Sequence, residues 1–216
     1  GIVMPISRRY ELLGWASRGE KRYIIEDDYD SELRLSGQPI PTLQSIDVSD
    51  KVIYMNTFTK TLSSTVRISY MVLPGHLLDE FYKKLSFYSC TVSNFEQYTL
   101  AKFIQEGYFE KHINRLRNYY HSKRDALITA VKNSRLNDFV TISGEEAGVH
   151  FLMEIITPQT EEELMRATLS QGIKLAPLSG YYHIPEDAPD NVYIMNYSSI
   201  ETEDIKEIIH RLSQCI

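Results

Sequence analysis

The sequence has few cysteines, no long apolar run and no excess of positive charge. Its two cysteines, Cys90 and Cys215, lie far apart, which argues against a disulfide framework or a cysteine metal site and favours a reducing, cytoplasmic setting. No apolar stretch approaches the roughly 18 residues of a membrane span, and no secretory signal is expected. The net charge of −6 does not suit a nucleic-acid-binding surface. The basic stretch from His112 to Arg124 is therefore interpreted as a solvated helix face.

The first part of the chain has the pattern of an α/β protein. The 216 residues are 43% hydrophobic and 24% charged, which is enough to bury a core. Continuous apolar runs predict buried strands of a mostly parallel sheet at 22–28, 52–55 and 68–73. Helical spacing predicts helices over 77–89, 95–105 and 108–133, with a left-handed residue at Gly107.

The pattern changes near residue 125, so we predict two domains, 1–125 and 126–216. The second domain is expected to be a small α+β unit. Its predicted strands are 139–142, 149–155, 172–176 and 192–197, and its predicted helices are 161–170 and 201–214. Ser198 and Glu201 are spaced as a capping box for the last helix.

Several side chains able to bind a ligand lie where the predicted strands end. Asp27 and Tyr29 follow the first strand and Lys60 the second, and ligands bind outside the carboxyl ends of strands in open α/β sheets. Thr57 and Thr59 supply hydroxyl groups near Lys60. A lysine near an anion-binding group and an opposed carboxylate describe a pyridoxal 5'-phosphate site.

The pattern allows two places for Arg67, the expected phosphate-binding cation. Arg67 immediately precedes the third strand, so it would lie at the opposite edge of the sheet unless the turn folds it back toward Lys60.

Each of these residues also has a simpler explanation. Lys60 would then be a solvated loop residue, and Asp27 would only cap a turn together with Asp28. Arg67 would pair with Glu26 or Asp28. Tyr29 would only pack its ring and make a local hydrogen bond.

Long blocks of the sequence resemble the MocR/GabR family of transcription regulators. The most specific blocks are EDDYDSE (26–32) and NTFTK (56–60), and further similar blocks are VMPISRRYELLGWA (3–16) and GYFEKHINRLRNYYHSKRDALITAV (107–131). These regulators join a winged-helix DNA-binding domain to a fold type I aminotransferase-like domain that binds pyridoxal phosphate. The resemblance implies a partial large domain, followed by a small domain, of that fold.

The resemblance also implies a role for each candidate site residue. Lys60 matches the lysine that forms the internal aldimine, and Asp27 matches the carboxylate that pairs with the pyridine nitrogen. Tyr29 matches the phenol on the ring oxygen O3′. Arg67, with Thr57 and Thr59, matches the group that binds the phosphate.

The sequence departs from the family pattern at three places. The family usually has Gly at position 56 and Ser at 59, where this chain has Asn56 and Thr59. Relatives that bind an amino-acid carboxylate carry an arginine near the C-terminus, but this chain has none between Arg166 and Arg211. Carboxylate recognition would then fall to another group, such as Lys174 or His183, although a solvated or packing role suits either residue better.

The resemblance implies that the chain is one part of a longer regulator, because the glycine-rich phosphate loop of the fold and the winged helix are not found in it. Such a domain would sense an amine or amino acid through exchange at Lys60, would form homodimers, and would meet DNA only through an N-terminal domain. A stand-alone class I/II aminotransferase is the alternative, and a chain that binds no cofactor and only keeps the fold is a third possibility.

Overall fold

The computed structural model describes residues 4–35, 41–146 and 148–216. They form two compact units, 4–115 and 116–216, and the boundary after Arg115 falls inside one long helix. The predicted domain boundary at residue 125 falls in the same helix. Residues 1–3 and 36–40, which include the start of the VMPISRRYELLGWA block and part of the loop after EDDYDSE, lie outside the described residues.

The elements up to the boundary largely follow the predicted order. They are α1 (Ile6–Ser17), β1 (Ile24–Asp27), α2 (Leu43–Ile46), β2 (Val52–Thr57), β3 (Ser69–Val72), α3 (Gly75–Leu85), α4 (Asn94–Gln105) and α5 (Tyr108–Lys132). A capping box of Ser93 and Glu96 starts α4 by satisfying free backbone N–H groups. Gly107 has φ +73°, as predicted, and separates α4 from α5.

The first sheet is mixed rather than mostly parallel. Its order is β1-β2-β3, with β1 parallel and β3 antiparallel to β2. The eleven residues 58–68 that connect β2 to β3 are too few for the helical crossover that parallel neighbours require. The chain therefore turns back on itself, and β3 begins beside the end of β2.

The two faces of this sheet differ in their environment. Ile25, Met55 and Met71 lie on one face and are exposed, with Ile25 66% accessible. On the opposite face, Val52 and Asn56 are buried. Because side chains alternate along each strand, Asp27 and Thr57 belong to the exposed face and Asn56 to the buried one.

The second unit contains an antiparallel sheet of order β4-β5-β6. Its elements after α5 are β4 (Val140–Ser143), β5 (His150–Ile155), α6 (Glu161–Ser170), β6 (Val192–Asn196) and α7 (Ile205–Ser213). Phe151, Met153, Tyr193 and Leu212 are among the fully buried side chains of its core.

Two local predictions for this unit are wrong. Residues 172–176 form no strand; the neighbouring Pro177 makes only an isolated bridge to Tyr193. The last helix begins at Ile205 after a short 3-10 turn, and Ser198 does not cap it. The Ser198 hydroxyl instead donates to Asn196 Oδ1 (2.7 Å), because the chain is still leaving β6 at that point.

The solvated-face interpretation of the stretch from His112 to Arg124 is wrong at its end. Lys123 and Arg124 are buried. The Lys123 ammonium donates to Ser198 O (3.3 Å) and lies 4.6 Å from the Tyr119 ring centroid. Arg124 donates to Asp125 and to Glu145 O, so both cations take part in packing. Within the described ranges, no helix is both long and apolar enough to cross a membrane.

Gly107→Ala should destabilise the protein by about 1 kcal/mol, because a Cβ at positive φ is strained even in open space. No atom lies within 4 Å of the added Cβ at Gly107 or at Gly14, and Gly14 lies inside α1. Gly14→Ala is therefore the matched control, and it should stabilise by about 0.5–1 kcal/mol. Urea unfolding measures both. Equal effects of the two substitutions would show that backbone strain at Gly107 does not contribute.

The free energy of unfolding should fall between pH 10 and 12, in part because Tyr197 loses its proton over this range. Burial raises the pKa of Tyr197 to about 12, above the unfolded value of about 10. The protonated phenol therefore stabilises the fold fully below pH 10, and this stabilisation is lost as pH rises through 12. Tyr197→Phe should lose the hydrogen bond to Gly148 O and show a smaller decrease over this range. Urea unfolding at several pH values tests this, with the exposed Tyr181→Phe expected to behave as the wild type.

Candidate cofactor site

The polar residues predicted from the strand ends lie at one edge of the first sheet. Asp27 ends β1 and Thr57 ends β2, and these strands are parallel, so both ends meet at the same edge. Thr57 is in register with Ser69, the first residue of β3. Arg67 precedes Ser69 by two residues, so the antiparallel return brings it to the edge where Lys60 lies. The turn does fold Arg67 back.

Thr57 and Thr59 form hydrogen bonds that connect the two ends of the loop between β2 and β3. Thr57 Oγ1 is 3.2 Å from Ile68 O and 3.0 Å from Thr59 Oγ1, and Phe58 N donates to Ile68 O (2.9 Å). Thr59 Oγ1 donates to Val66 O (2.9 Å). In this conformation both hydroxyl protons point to protein oxygens. The threonines thus order the loop that carries Lys60 and Arg67, and their predicted part in phosphate binding stays a prediction.

Two residues at the start of α5, Phe109 and His112, contact the same loop. His112 Nε2 hydrogen-bonds to the carbonyl oxygen of the buried Thr61 (2.9 Å). The Phe58 and Phe109 rings meet edge to face with centroids 5.7 Å apart. Sequence reasoning missed this support, because His112 appeared only as one member of a basic stretch.

Three of the candidate residues are exposed and do not take part in the packing of the fold: Lys60, Arg67 and Asp27. Their charged groups make no hydrogen bond or ion pair with residues 4–35, 41–146 or 148–216. The simpler pairing of Arg67 with Glu26 or Asp28 is therefore not found.

Those two carboxylates have other partners. Glu26 accepts from the backbone N–H groups of Leu43 (2.7 Å) and Gln44 (3.0 Å) at the start of α2. Asp28 accepts from the Tyr54 hydroxyl (2.8 Å) and the Ser31 hydroxyl (2.8 Å). Of the neighbouring acids Asp27 and Asp28, the second one organises the turn and the first stays available.

Tyr29 presents a protonated phenol beside these acids. Its side chain is 44% exposed. The Asp30 carboxylate, partial burial and the Asp27 carboxylate, in that order, raise the pKa of Tyr29. The phenol therefore remains a hydrogen-bond donor at neutral pH.

The groups at this edge can bind a flat ligand that carries a phosphate and a basic ring nitrogen. Lys60 offers an amine nucleophile and Arg67 a planar cation for the phosphate. Asp27 offers a carboxylate for a protonated ring nitrogen, and Tyr29 offers an O–H donor. This set of uncommitted groups fits pyridoxal phosphate in charge and hydrogen-bonding character.

Solved structures show the class of the fold. The chain superposes along its whole length on 52% of a kynurenine aminotransferase from Pyrococcus horikoshii, solved in complex with PMP, with TM-score 0.81 and 28% identity. A multiple substrate aminotransferase from Thermococcus profundus matches over 99% of this chain and 52% of its own, with TM-score 0.79 and 27% identity. The chain therefore has part of an aminotransferase fold of the pyridoxal-phosphate type, as predicted.

The sequence relatives include transcription regulators. The HTH-type transcriptional regulator YdeL of Bacillus subtilis is 42% identical over 98% of this chain and 45% of its own length. The probable rhizopine catabolism regulatory protein MocR of Rhizobium meliloti is 37% identical over 98% of this chain and 42% of its own length. The chain is similar to MocR-type regulators over nearly its whole length, and the resemblance seen in its motifs is confirmed. No protein-family model matches the sequence.

The chain spans just under half the length of these regulators. It also spans 51% of aromatic-amino-acid aminotransferase 1 of Thermococcus litoralis, at 29% identity. The two candidates for carboxylate recognition, Lys174 and His183, are exposed residues of the second unit. Their proposed role stays untested.

Thr59→Val should loosen the loop between β2 and β3, because it removes the bond to Val66 O while keeping the size of the side chain. Thr59→Ser keeps the hydroxyl and is the matched control. We expect Thr59→Val to lose about 1 kcal/mol of stability and Thr59→Ser markedly less. Amide hydrogen exchange over residues 58–68 should quicken only in Thr59→Val. Equal exchange in both variants would contradict the role given to this hydroxyl.

Proposed function

We propose that this chain is the pyridoxal-phosphate-binding, aminotransferase-like part of the effector-sensing domain of a MocR-type transcription regulator. One observation carries the proposal: Lys60 and Arg67 are brought to one sheet edge with Asp27, and the charged groups of all three have no partner among the described residues. The relatives that are HTH-type regulators support the regulatory role over that of a free-standing enzyme.

Each residue has one task in this proposal. Lys60 supplies the amine that binds the cofactor covalently, and Arg67 neutralises its phosphate. Asp27 keeps the ring nitrogen protonated, and Tyr29 donates to the ring oxygen. The bound cofactor supplies an electrophilic carbon and an electron-accepting ring.

An amine or amino acid would act as effector by taking the place of Lys60. The released Lys60 amine and the new contacts of the effector would favour a different arrangement of the regulator. We further propose a cytoplasmic homodimer that meets DNA through a separate DNA-binding domain of the longer protein. Sensing in this form requires no complete transamination.

Lys60→Ala should abolish the near-visible absorption of bound pyridoxal phosphate in the full-length protein, because the variant lacks the amine that is proposed to attach the cofactor. Lys83→Ala, an exposed lysine in the last turn of α3, is the control and should keep the absorption. Titration with the cofactor, followed by borohydride reduction and peptide mass mapping, places the attachment. Attachment at another lysine, or unchanged absorption in Lys60→Ala, would overturn the assignment.

The alternative is a stand-alone aminotransferase, a class to which the Thermococcus litoralis relative, at 29% identity, belongs. Repeated turnover of an amino donor with 2-oxoglutarate would support the enzyme. A stoichiometric spectral change without turnover, together with altered operator binding, would support the sensor.

A further inference from the structure

The turn that follows β1 is fastened to β2 from the face opposite to Asp27. The Tyr54 hydroxyl donates to Asp28 Oδ2 (2.8 Å). Asn56 Nδ2 donates to Glu32 Oε1 (3.0 Å) and to the Tyr54 hydroxyl oxygen (3.0 Å). One buried amide thus connects to both ends of the segment 28–32.

The polar atoms of the Asn56 side chain all take part in hydrogen bonds. Its side chain is only 4% exposed. The two Nδ2 hydrogens serve Glu32 and Tyr54, and Oδ1 accepts from the backbone N–H of Thr57. A buried amide with every group satisfied holds its neighbours in one arrangement, since a lost bond would leave a polar atom unpaired in the interior.

Tyr54 relays the contact from Asn56 to Asp28. Burial raises the pKa of Tyr54 far above its ordinary value; the bond from Asn56 acts against this, and Asp28 adds to it. The phenol therefore stays protonated and donates to Asp28 while it accepts from Asn56. In this series of hydrogen bonds, Asn56 donates to Tyr54 and Tyr54 donates to Asp28.

Tyr29 lies between the two fastened points, Asp28 and Glu32, but has no hydrogen bond of its own within the described part of the chain. With 44% of its side chain exposed, its position depends on the backbone that carries it. Fastening both ends of a five-residue segment removes most of the conformations in which the phenol would point elsewhere.

We propose that Asn56 is a positioning residue that, through Tyr54 and Glu32, holds Tyr29 in place at the cofactor site. The proposal rests on the proposed function, since it is the bound cofactor that Tyr29 would contact. Asn56 reaches Tyr29 only through other residues and from the other face of the sheet.

The first test needs no cofactor. Asn56→Leu keeps the branched shape and the number of heavy atoms but removes the donors and the acceptor of the amide, and Tyr54→Phe removes only the hydroxyl. In the apo protein we expect amide hydrogen exchange over residues 28–33 to quicken by up to about tenfold, the effect of one lost hydrogen bond. Tyr70→Phe is the control: Tyr70 lies on the same face, and its hydroxyl makes no hydrogen bond to the described residues. Unchanged exchange in both Asn56→Leu and Tyr54→Phe would overturn the proposal.

The second test follows the absorption of bound pyridoxal phosphate against pH in the full-length protein. Tyr29→Phe should raise the pH at the midpoint of the absorption change. A donor to the ring oxygen favours the charged form of that oxygen, and the variant lacks this donor. Asn56→Leu should raise the midpoint by a smaller amount, and should cause no further rise when Tyr29 is already Phe. A merely structural Asn56 would give no shift, or the same shift in both backgrounds, and either result would overturn the proposal.

The two tests also separate this proposal from the one it rests on. If the wild type binds no cofactor, the proposed function fails and the positioning role fails with it, while the exchange measurement still shows whether Asn56 fastens the turn. If the cofactor binds and only the midpoints are insensitive to Asn56, the proposed function stands and the positioning role does not.

Discussion

The candidate site depends on the return of the chain from β2 into β3. Hydrogen bonds of Thr57 and Thr59 to the carbonyl groups of Ile68 and Val66 close the loop, and the antiparallel register then places Arg67 beside the end of β2. A parallel third strand would have carried the same arginine to the far edge of the sheet. A short connection with hydroxyls at its base thus brings two like charges, Lys60 and Arg67, to one edge. An anionic ligand at this edge would be attracted by both charges.

At this edge of the sheet, the side chains of residues that are adjacent in sequence point to opposite faces. Asp27 and Thr57 point to the exposed face, while Asp28 and Asn56 point to the face where the polar network is built. This follows from the alternation of side chains along a strand. The acid that stays available and the acid that orders the turn are therefore adjacent in sequence, and they differ in the face to which they point and in the hydrogen bonds that Asp28 accepts.

The similarity to MocR-type regulators and the aminotransferase fold fit together, because the chain matches about half of the length of both kinds of protein. The sequence has no arginine between Arg166 and Arg211, the stretch in which the family resemblance led us to expect one.

The motifs alone were sufficient to predict the similarity to MocR-type regulators, most of the element order and the left-handed Gly107, because each depends on local pattern or spacing. The roles of the candidate site residues stay predictions. Other features depend on contacts between residues far apart in sequence. The antiparallel β3, the burial of Lys123 and the absence of a strand at 172–176 belong to this group. So does Asn56, which in the sequence was only a departure from a usual glycine; its function as an amide connecting Glu32 and Tyr54 exists only where β2 passes the turn after β1. Local pattern determines which groups are present, and the pairing of distant segments decides which of them remain free to act.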